Sequence, residues 1–365
     1  MRKICHITSV HRYDDTRIFI KECQSLTSEY ETHLISPGAP NEVINNIHVH
    51  GIEKPKNRIK RMTDTVMAVY KEALKINAEI YHFHDPELIF VGLLLMKKGK
   101  KVIYDIHEDV PRQILSKAWI AKPIRYSISK TFETIENYAA KRFSAIIVAT
   151  PHIKKRFSGL RSDVLDVNNY PLLKELRLSD VNDIEKKNSI CYVGVINKIR
   201  GIFEMVQAME YTDAELLLGG KFVSETDRNS VKNKEGWKKV DELGQVNREE
   251  MAKILAKSSA GLVLFHPLPN HIDAQPNKMF EYMSSSVPVI ASNFPLWKEI
   301  IEGNKCGICV DPLNPKAIGE AINHLLSNPD EVAIMGENGR KAVEQKYNWE
   351  TESKKLLDLY ANLLV

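Results

Sequence analysis

The sequence predicts an α/β chain built as two doubly wound parallel sheets, and three observations carry the prediction. Short β-rich runs alternate with helical patterns from the first residues onward, the signature of parallel strands joined by helices. The alternation breaks once, over 168–187, where polar, charged sequence interrupted by Pro171 reads as a linker, and then it resumes. The length, 365 residues, also exceeds the size at which one core stops growing. Two Rossmann-like domains facing a cleft follow, 1–178 and 179–346, with a last helix of about 347–365 free to pack back on the first.

In the first half, strands are expected at 3–8, 32–36, 47–50, 80–83, 102–106, 145–149 and 164–167. Helical periodicity fits 17–30, 59–76, 87–97, 123–141 and 152–157. In the second half, strands are expected at 189–194, 215–218, 240–242, 261–265, 287–291 and 308–310. Helices lie between them, and three helical segments follow Pro315. In such open sheets ligands bind beyond the carboxyl ends of strands, so the residues just after each strand are the ones to inspect.

Composition narrows the class. With 43% apolar residues, 17 Gly, 16 Pro and no repeat, the chain reads as globular. The longest apolar run, 89–96, is too short to span a bilayer. The first residues enter a strand pattern without a signal peptide's apolar stretch, and five cysteines, an odd number, fit a reducing compartment; a cytoplasmic protein is expected. Cys306-Gly-Ile-Cys309 has no second cysteine pair to complete a zinc site. Charge divides unevenly: residues 1–178 hold 29 Lys/Arg against 20 Asp/Glu, and 179–365 hold 22 against 27. The basic excess gathers in 54–61, 97–101 and 112–142, either as solvated helix faces or as a surface for anionic lipid.

The most telling stretch is Asp273-Ala-Gln-Pro276-Asn277-Lys278-Met-Phe-Glu281, two carboxylates flanking seven residues before an apolar strand. Pro276 and Asn277 suit the first turn of a helix, whose free N–H groups favour an anion. An ordinary amphipathic helix with Met279, Phe280 and Met283 in the core fits the same residues. Beyond the strand 189–194, Gly194 leads into a basic turn with Lys198 and Arg200. Gly219-Gly220 and Gly244-Gln-Val246-Asn247 close the next two strands; Asn247 also suits a helix N-cap. In the first half, His82-Phe-His84-Asp85-Pro86 follows a strand. Its two histidines share a face, which allows a metal, but the sequence offers no evident third ligand. His107 and Glu108 follow another strand, and His11 and Arg17 fill the first strand-to-helix turn. No dinucleotide fingerprint, P-loop, nucleophile elbow or Asp-x-Asp metal triplet occurs.

These segments, 82–86, 194–201 and 273–292 above all, resemble the motifs of family 4 retaining glycosyltransferases of the GT-B fold, and the resemblance spans almost the whole chain. Asp273 stands where that family usually has its first Glu, and Val195 where it often has Arg. The resemblance implies metal-independent transfer of a sugar from a nucleoside diphosphate donor, of UDP or GDP type, with retention and no cofactor. It assigns His84, Asp273 and Glu281 to catalysis. The donor falls to Gly194, Lys198, Arg200, Gly219, Gly244, Val246, Pro276, Asn277 and Lys278. His11, Arg17, His107 and Glu108 would face a sugar, lipid-linked or polymer acceptor. Nucleic acid is not an expected partner; an anionic membrane surface stays open as one, beside the reading of the basic runs as solvated helix faces. A nucleotide-sugar epimerase of the same fold, or a non-catalytic nucleotide-sugar-binding relative, are the alternatives.

Overall fold

The computed structural model describes residues 1–117, 120–173 and 188–365, so most of the expected linker lies outside the described residues. The chain forms two compact units, residues 1–169 with 351–365, and residues 170–350. The division therefore falls at 169/170 rather than 178/179. Tyr170 belongs to the second unit because its ring packs on Phe280 and Tyr347 and its hydroxyl donates to Gln275 Oε1 at 3.1 Å. Trp349 N–H donates to the Pro171 carbonyl and Leu173 N–H to Glu350 Oε1, which carries the other division to 350/351 instead of 346/347.

The first unit holds β1 (Lys3–Ile7), β2 (Glu31–Pro37), β3 (Glu42–Ile44), β4 (Ile47–Ile52), β5 (Ile80–Phe83), β6 (Lys101–Ile106), β7 (Ala145–Val148) and β8 (Val164–Asp166) in the order β3-β4-β2-β1-β5-β6-β7-β8. All neighbours are parallel except β3 and β4. Sequence periodicity missed β3. Asn45 and Asn46, both at positive φ, make the tight turn that folds it back on β4. The helix expected at 17–30 is a π-helix, Thr16–Cys23, continuing into Gln24–Leu26, and a helix at Val110–Ser116 was not expected. β1 and β5 are buried almost throughout, as strands covered on both faces must be.

The second unit holds β9 (Ser189–Val193), β10 (Glu215–Gly219), β11 (Val240–Gly244), β12 (Ala260–Val263), β13 (Val289–Ser292) and β14 (Gly307–Val310), all parallel, ordered β11-β10-β9-β12-β13-β14. Met279, Phe280 and Met283 of the helix Asn277–Ser284 sit in a core with Trp297 on one face of this sheet, and Met205, Val206 and Ile318 fill the other. In each sheet the winding reverses once, between β1 and β5 and between β9 and β12. Those two switch points are where open α/β sheets bind ligands.

Candidate functional site

At the second unit's switch point, three strands end in glycine. Gly194 (φ 141°) follows β9, Gly219 and Gly220 (φ 139°) end β10, and Gly244 (φ 70°) ends β11. Gly194 N–H donates to Gly219 O at 2.9 Å, and Gly220 N–H donates to Gly244 O. A Cβ on Gly220 would lie 1.8 Å from Gly194 O, so no side chain fits there. The carboxyl edge of three adjacent strands is thus bare backbone, with Val246 lying over Gly219.

The turn after β9 is shaped by Asn197, whose side chain accepts from Arg200 N–H at 3.0 Å, and by Gly201 at φ 80°, which lies against Leu264 O. Lys198 and Arg200 project from a short turn, Lys198 exposed and Arg200 half-buried, and among the described residues no carboxylate forms an ion pair with either. The helix Asn277–Ser284 begins one residue later than expected. Pro276, with extended ψ, is its N-cap and Asn277 its first residue. The helix is fixed to the sheet by Tyr282, whose hydroxyl accepts from Val193 N–H at 2.9 Å. Gly261 leaves room for that ring.

Lys278 is the exceptional residue of this edge. Its side chain is buried, and among the described residues Nζ has no hydrogen-bond partner. The amine lies 3.6 Å from the Tyr192 ring centroid, and a Cβ built on Gly194 would be 3.0 Å from it. Burial pushes the Lys278 pKa well below the lysine range, Arg200 adds repulsion and Glu281 opposes both. Glu281 Oε1 accepts from Arg248 at 2.6 Å, and its side chain is 13% exposed. Asn247 is a true N-cap, paired reciprocally with Glu250. Asp273 ends the short helix Pro269–Ile272 and is half-buried; Trp297 donates to Ala274 O at 2.7 Å and so holds the backbone between the two acids.

At the first unit's switch point the site is polar and packed. Asp85 Oδ2 accepts from Thr8 Oγ1 and from Ser9 N–H, both at 2.7 Å, instead of capping the helix after it. His11 Nδ1 meets Asp15 at 3.3 Å, and its Nε2 lies 3.5 Å from Asp85. Burial pulls the His11 pKa down, but the Asp15 hydrogen bond and the charges of Asp85, Asp15 and Asp105 outweigh it and leave it raised. His107 Nε2 lies 2.8 Å from Asp105, and Glu108 accepts from Gln113.

Two expected site residues are not presented to a ligand here. Arg17, expected to face an acceptor, is 5% exposed; its guanidinium forks onto Asp105 at 3.0–3.1 Å, donates to Val167 O, and lies 2.9 Å from Glu22. It positions these acids. His84 has a fully buried side chain, with Nδ1 at 3.2 Å from Asp105 and Nε2 at 3.0 Å from His6 Nδ1. Burial brings its pKa down to about 4 against the pull of Asp105. The structure also supplies what the histidine pair lacked in sequence: His6 and Glu22 converge on His82 and His84, their ligating atoms within 4.8 Å of one another. Only the strand order, which sets β1 beside β5, brings them together.

Comparison with known proteins follows the same division. The family described as "Glycosyl transferases group 1" matches residues 175–342, and "Glycosyltransferase Family 4" matches residues 19–163. D-rhamnosyltransferase WbpZ of Pseudomonas aeruginosa is 24% identical over 290 residues, covering 77% of this chain and 73% of the relative. The structure of sucrose-phosphate synthase from Thermosynechococcus elongatus matches with TM-score 0.80 at 17% identity, covering 100% and 99% of the two chains. That of HepE from Anabaena in complex with UDP matches with TM-score 0.76 at 12% identity, covering 99% and 100%. The two parallel-sheet units are those of the GT-B fold.

Proposed function

The chain belongs to the group 1, family 4 glycosyltransferases, and on that premise we propose that it moves a sugar from a nucleoside diphosphate donor of UDP or GDP type to a sugar, lipid-linked or polymer acceptor, with retained anomeric configuration. One observation carries the donor reading: a buried amine with no hydrogen-bond partner among the described residues, Lys278, stands over Gly194 at the switch point, with Arg200 and Lys198 on the adjoining turn. A charge on such a buried amine is costly unless an anion completes it. Val195 stands where the family often places a cation right after the glycine, and Lys278 brings its amine to that same glycine. As the glycosidic bond breaks, the diphosphate gains charge, which these cations meet together with the amides at the start of the helix Asn277–Ser284. No metal is assigned to this step.

Glu281, held at one oxygen by Arg248, keeps the other for a ribose diol. Asp273 orients the transferred sugar, and the bare ends of β9, β10 and β11 take the nucleotide, with Val246 beside the base. The departing phosphate oxygen accepts the acceptor's proton as the new bond forms on the same face. His11, His107 and Glu108 form a polar lip suited to acceptor hydroxyls. UDP bound to HepE supports the donor class, and a relative described as a capsular polysaccharide biosynthesis glycosyltransferase, CapM of Staphylococcus aureus, supports a role in cell-envelope polysaccharide or glycolipid synthesis. Among the described residues no helix is long and apolar enough to cross a membrane. The helix Lys122–Ala140 exposes Ile124, Tyr126 and Ile128 among Lys122, Arg125 and Lys130, which supports docking on the anionic cytoplasmic leaflet.

A thermal-shift panel of UDP, GDP, ADP and their sugars identifies the donor. A ligand at 100 times its Kd adds about 2.7 kcal/mol of stability. The donor is then incubated alone and followed by proton NMR. Slow release of sugar in its original anomeric configuration is expected; conversion to an epimeric nucleotide sugar would establish the epimerase alternative.

A further inference from the structure

We propose that the first unit holds one zinc-class divalent cation in a closed site made by His6, His82, His84 and Glu22, apart from the donor chemistry. The geometry is that of ligands around an ion. His6 Nδ1 and His84 Nε2 are 3.0 Å apart, and each lies 3.8 Å from Glu22 Oε2. A triangle with those edges has its centre about 2.1 Å from every corner, the length of a zinc–nitrogen or zinc–carboxylate bond. His82 brings a ring nitrogen to the same cluster, in which one ligating atom from each residue lies within 4.8 Å of the others, and completes three imidazoles and one carboxylate.

The outward-facing nitrogens agree with this assignment. His84 Nδ1 is 3.2 Å from Asp105, and His6 Nε2 and His82 Nδ1 meet the Tyr360 hydroxyl at 3.0 and 2.9 Å. When each of these nitrogens donates its proton outward, all three histidines turn a bare lone pair to the same point, the arrangement that second-shell partners impose on metal-bound histidine. Without an ion the same set is frustrated. His82 Nε2, Glu22 Oε1 and Glu22 Oε2 are buried with no hydrogen-bond partner among the described residues, although Arg17 Nε is 2.9 Å from Glu22 Oε1 at poor alignment. An ion on Oε2 satisfies the first and third of these atoms, and Arg17 holds the second. The side chains of His6, His82, His84 and Glu22 have no exposed surface, so the site has no open position for substrate. Closed four-ligand sites are structural. The ion would pin the π-helix that carries Glu22 and, through Tyr360, the terminal helix Trp349–Leu364 to the ends of β1 and β5. π-Helical turns recur at functional sites, and here one aims Glu22 inward.

The alternative trio His84, Asp105 and His107 shares one residue with this set, but Asp105 is forked onto Arg17 and the trio leaves no buried side-chain atom without a hydrogen-bond partner among the described residues, unlike His82 and Glu22. The test uses the full-length protein without a polyhistidine tag, grown with zinc and analysed by elemental mass spectrometry. About one equivalent of zinc is expected, and cobalt exchanged into the site should show the strong visible bands of a tetrahedral ion. Tyr360→Phe keeps the packing and should weaken zinc about 10–100-fold through the second shell. His82→Gln should lose the ion, whereas His107→Gln and the remote control His48→Gln should keep it. Wild-type protein free of zinc, with a melting temperature indifferent to added Zn2+, overturns the proposal even if the variants fail to fold. So does an ion lost in His107→Gln but retained in His82→Gln.

Discussion

Lys278→Met isolates the group on which the donor reading depends. Methionine keeps the length of the stem but removes the amine that lies over the rings of Tyr192 and Phe265. In the unliganded protein two effects oppose each other. A buried donor without a partner costs about 1–3 kcal/mol, and removing it recovers that. The contact with the Tyr192 ring is worth about 0.5–2 kcal/mol, the upper end only for a charged amine. Burial and Arg200 already weaken that charge, so the first effect wins. The unliganded variant should melt at the wild-type temperature or about 2–4 °C higher, the shift that about 1 kcal/mol gives a unit of this size. Diphosphate binding should move the other way. A charge-assisted hydrogen bond is worth about 1.5–3 kcal/mol, so affinity for the nucleoside diphosphate falls about 10–160-fold. Scanning fluorimetry of the free protein and calorimetry with the diphosphate read the two changes. A variant that is less stable and binds as tightly as wild type would refute the reasoning, because the lysine would then be a core residue.

Proton linkage gives a second test of the same residue. Since burial holds the free amine's pKa low and phosphate would raise it, binding above that pKa should take up a proton and weaken as pH rises; titrations in buffers of different ionisation enthalpy measure the uptake. Asp273→Asn should lower turnover while leaving nucleoside diphosphate affinity nearly unchanged, and Glu281→Gln should weaken nucleotide and nucleotide sugar alike by about 1.5–3 kcal/mol. If Asp273→Asn instead costs nucleotide affinity, the two acids do not serve different parts of the donor. Sedimentation with anionic vesicles should be present at low ionic strength and fade as the Debye length falls to about 8 Å; no binding even at low salt excludes membrane docking.

Much of the architecture was legible because parallel strands buried on both faces leave continuous apolar runs, and all six strands of the second unit stand within two residues of their expected starts. The glycines at 194, 219 and 244 were legible as strand ends, though their stacking into one bare edge depends on strand order. Lys278 was read only through its motif. Nothing local distinguishes a lysine buried over Tyr192 from a solvated one, because the difference lies in β9, far off in sequence. His6, Glu22 and Tyr360 were missed for the same reason: a single His in a strand and a Glu in a helix carry no spacing signal until β1 and β5 pair. Arg17 misled the reading because a basic residue in the first strand-to-helix turn suits an exposed contact with an acceptor, whereas here Asp105 and Glu22 draw it inward.

The central claim is that the glycine edge of the second unit with Lys278 and Arg200 is a diphosphate cradle. Calorimetry of wild-type protein and of Arg200→Ala, each titrated with the preferred nucleoside and with its diphosphate, tests it most directly. The account predicts that the diphosphate binds wild type at least about tenfold tighter than the nucleoside, from one or more charge-assisted contacts, and that Arg200→Ala erases most of that difference while leaving nucleoside affinity unchanged. Equal affinity of wild type for the two ligands, or equal loss of both in the variant, would contradict it.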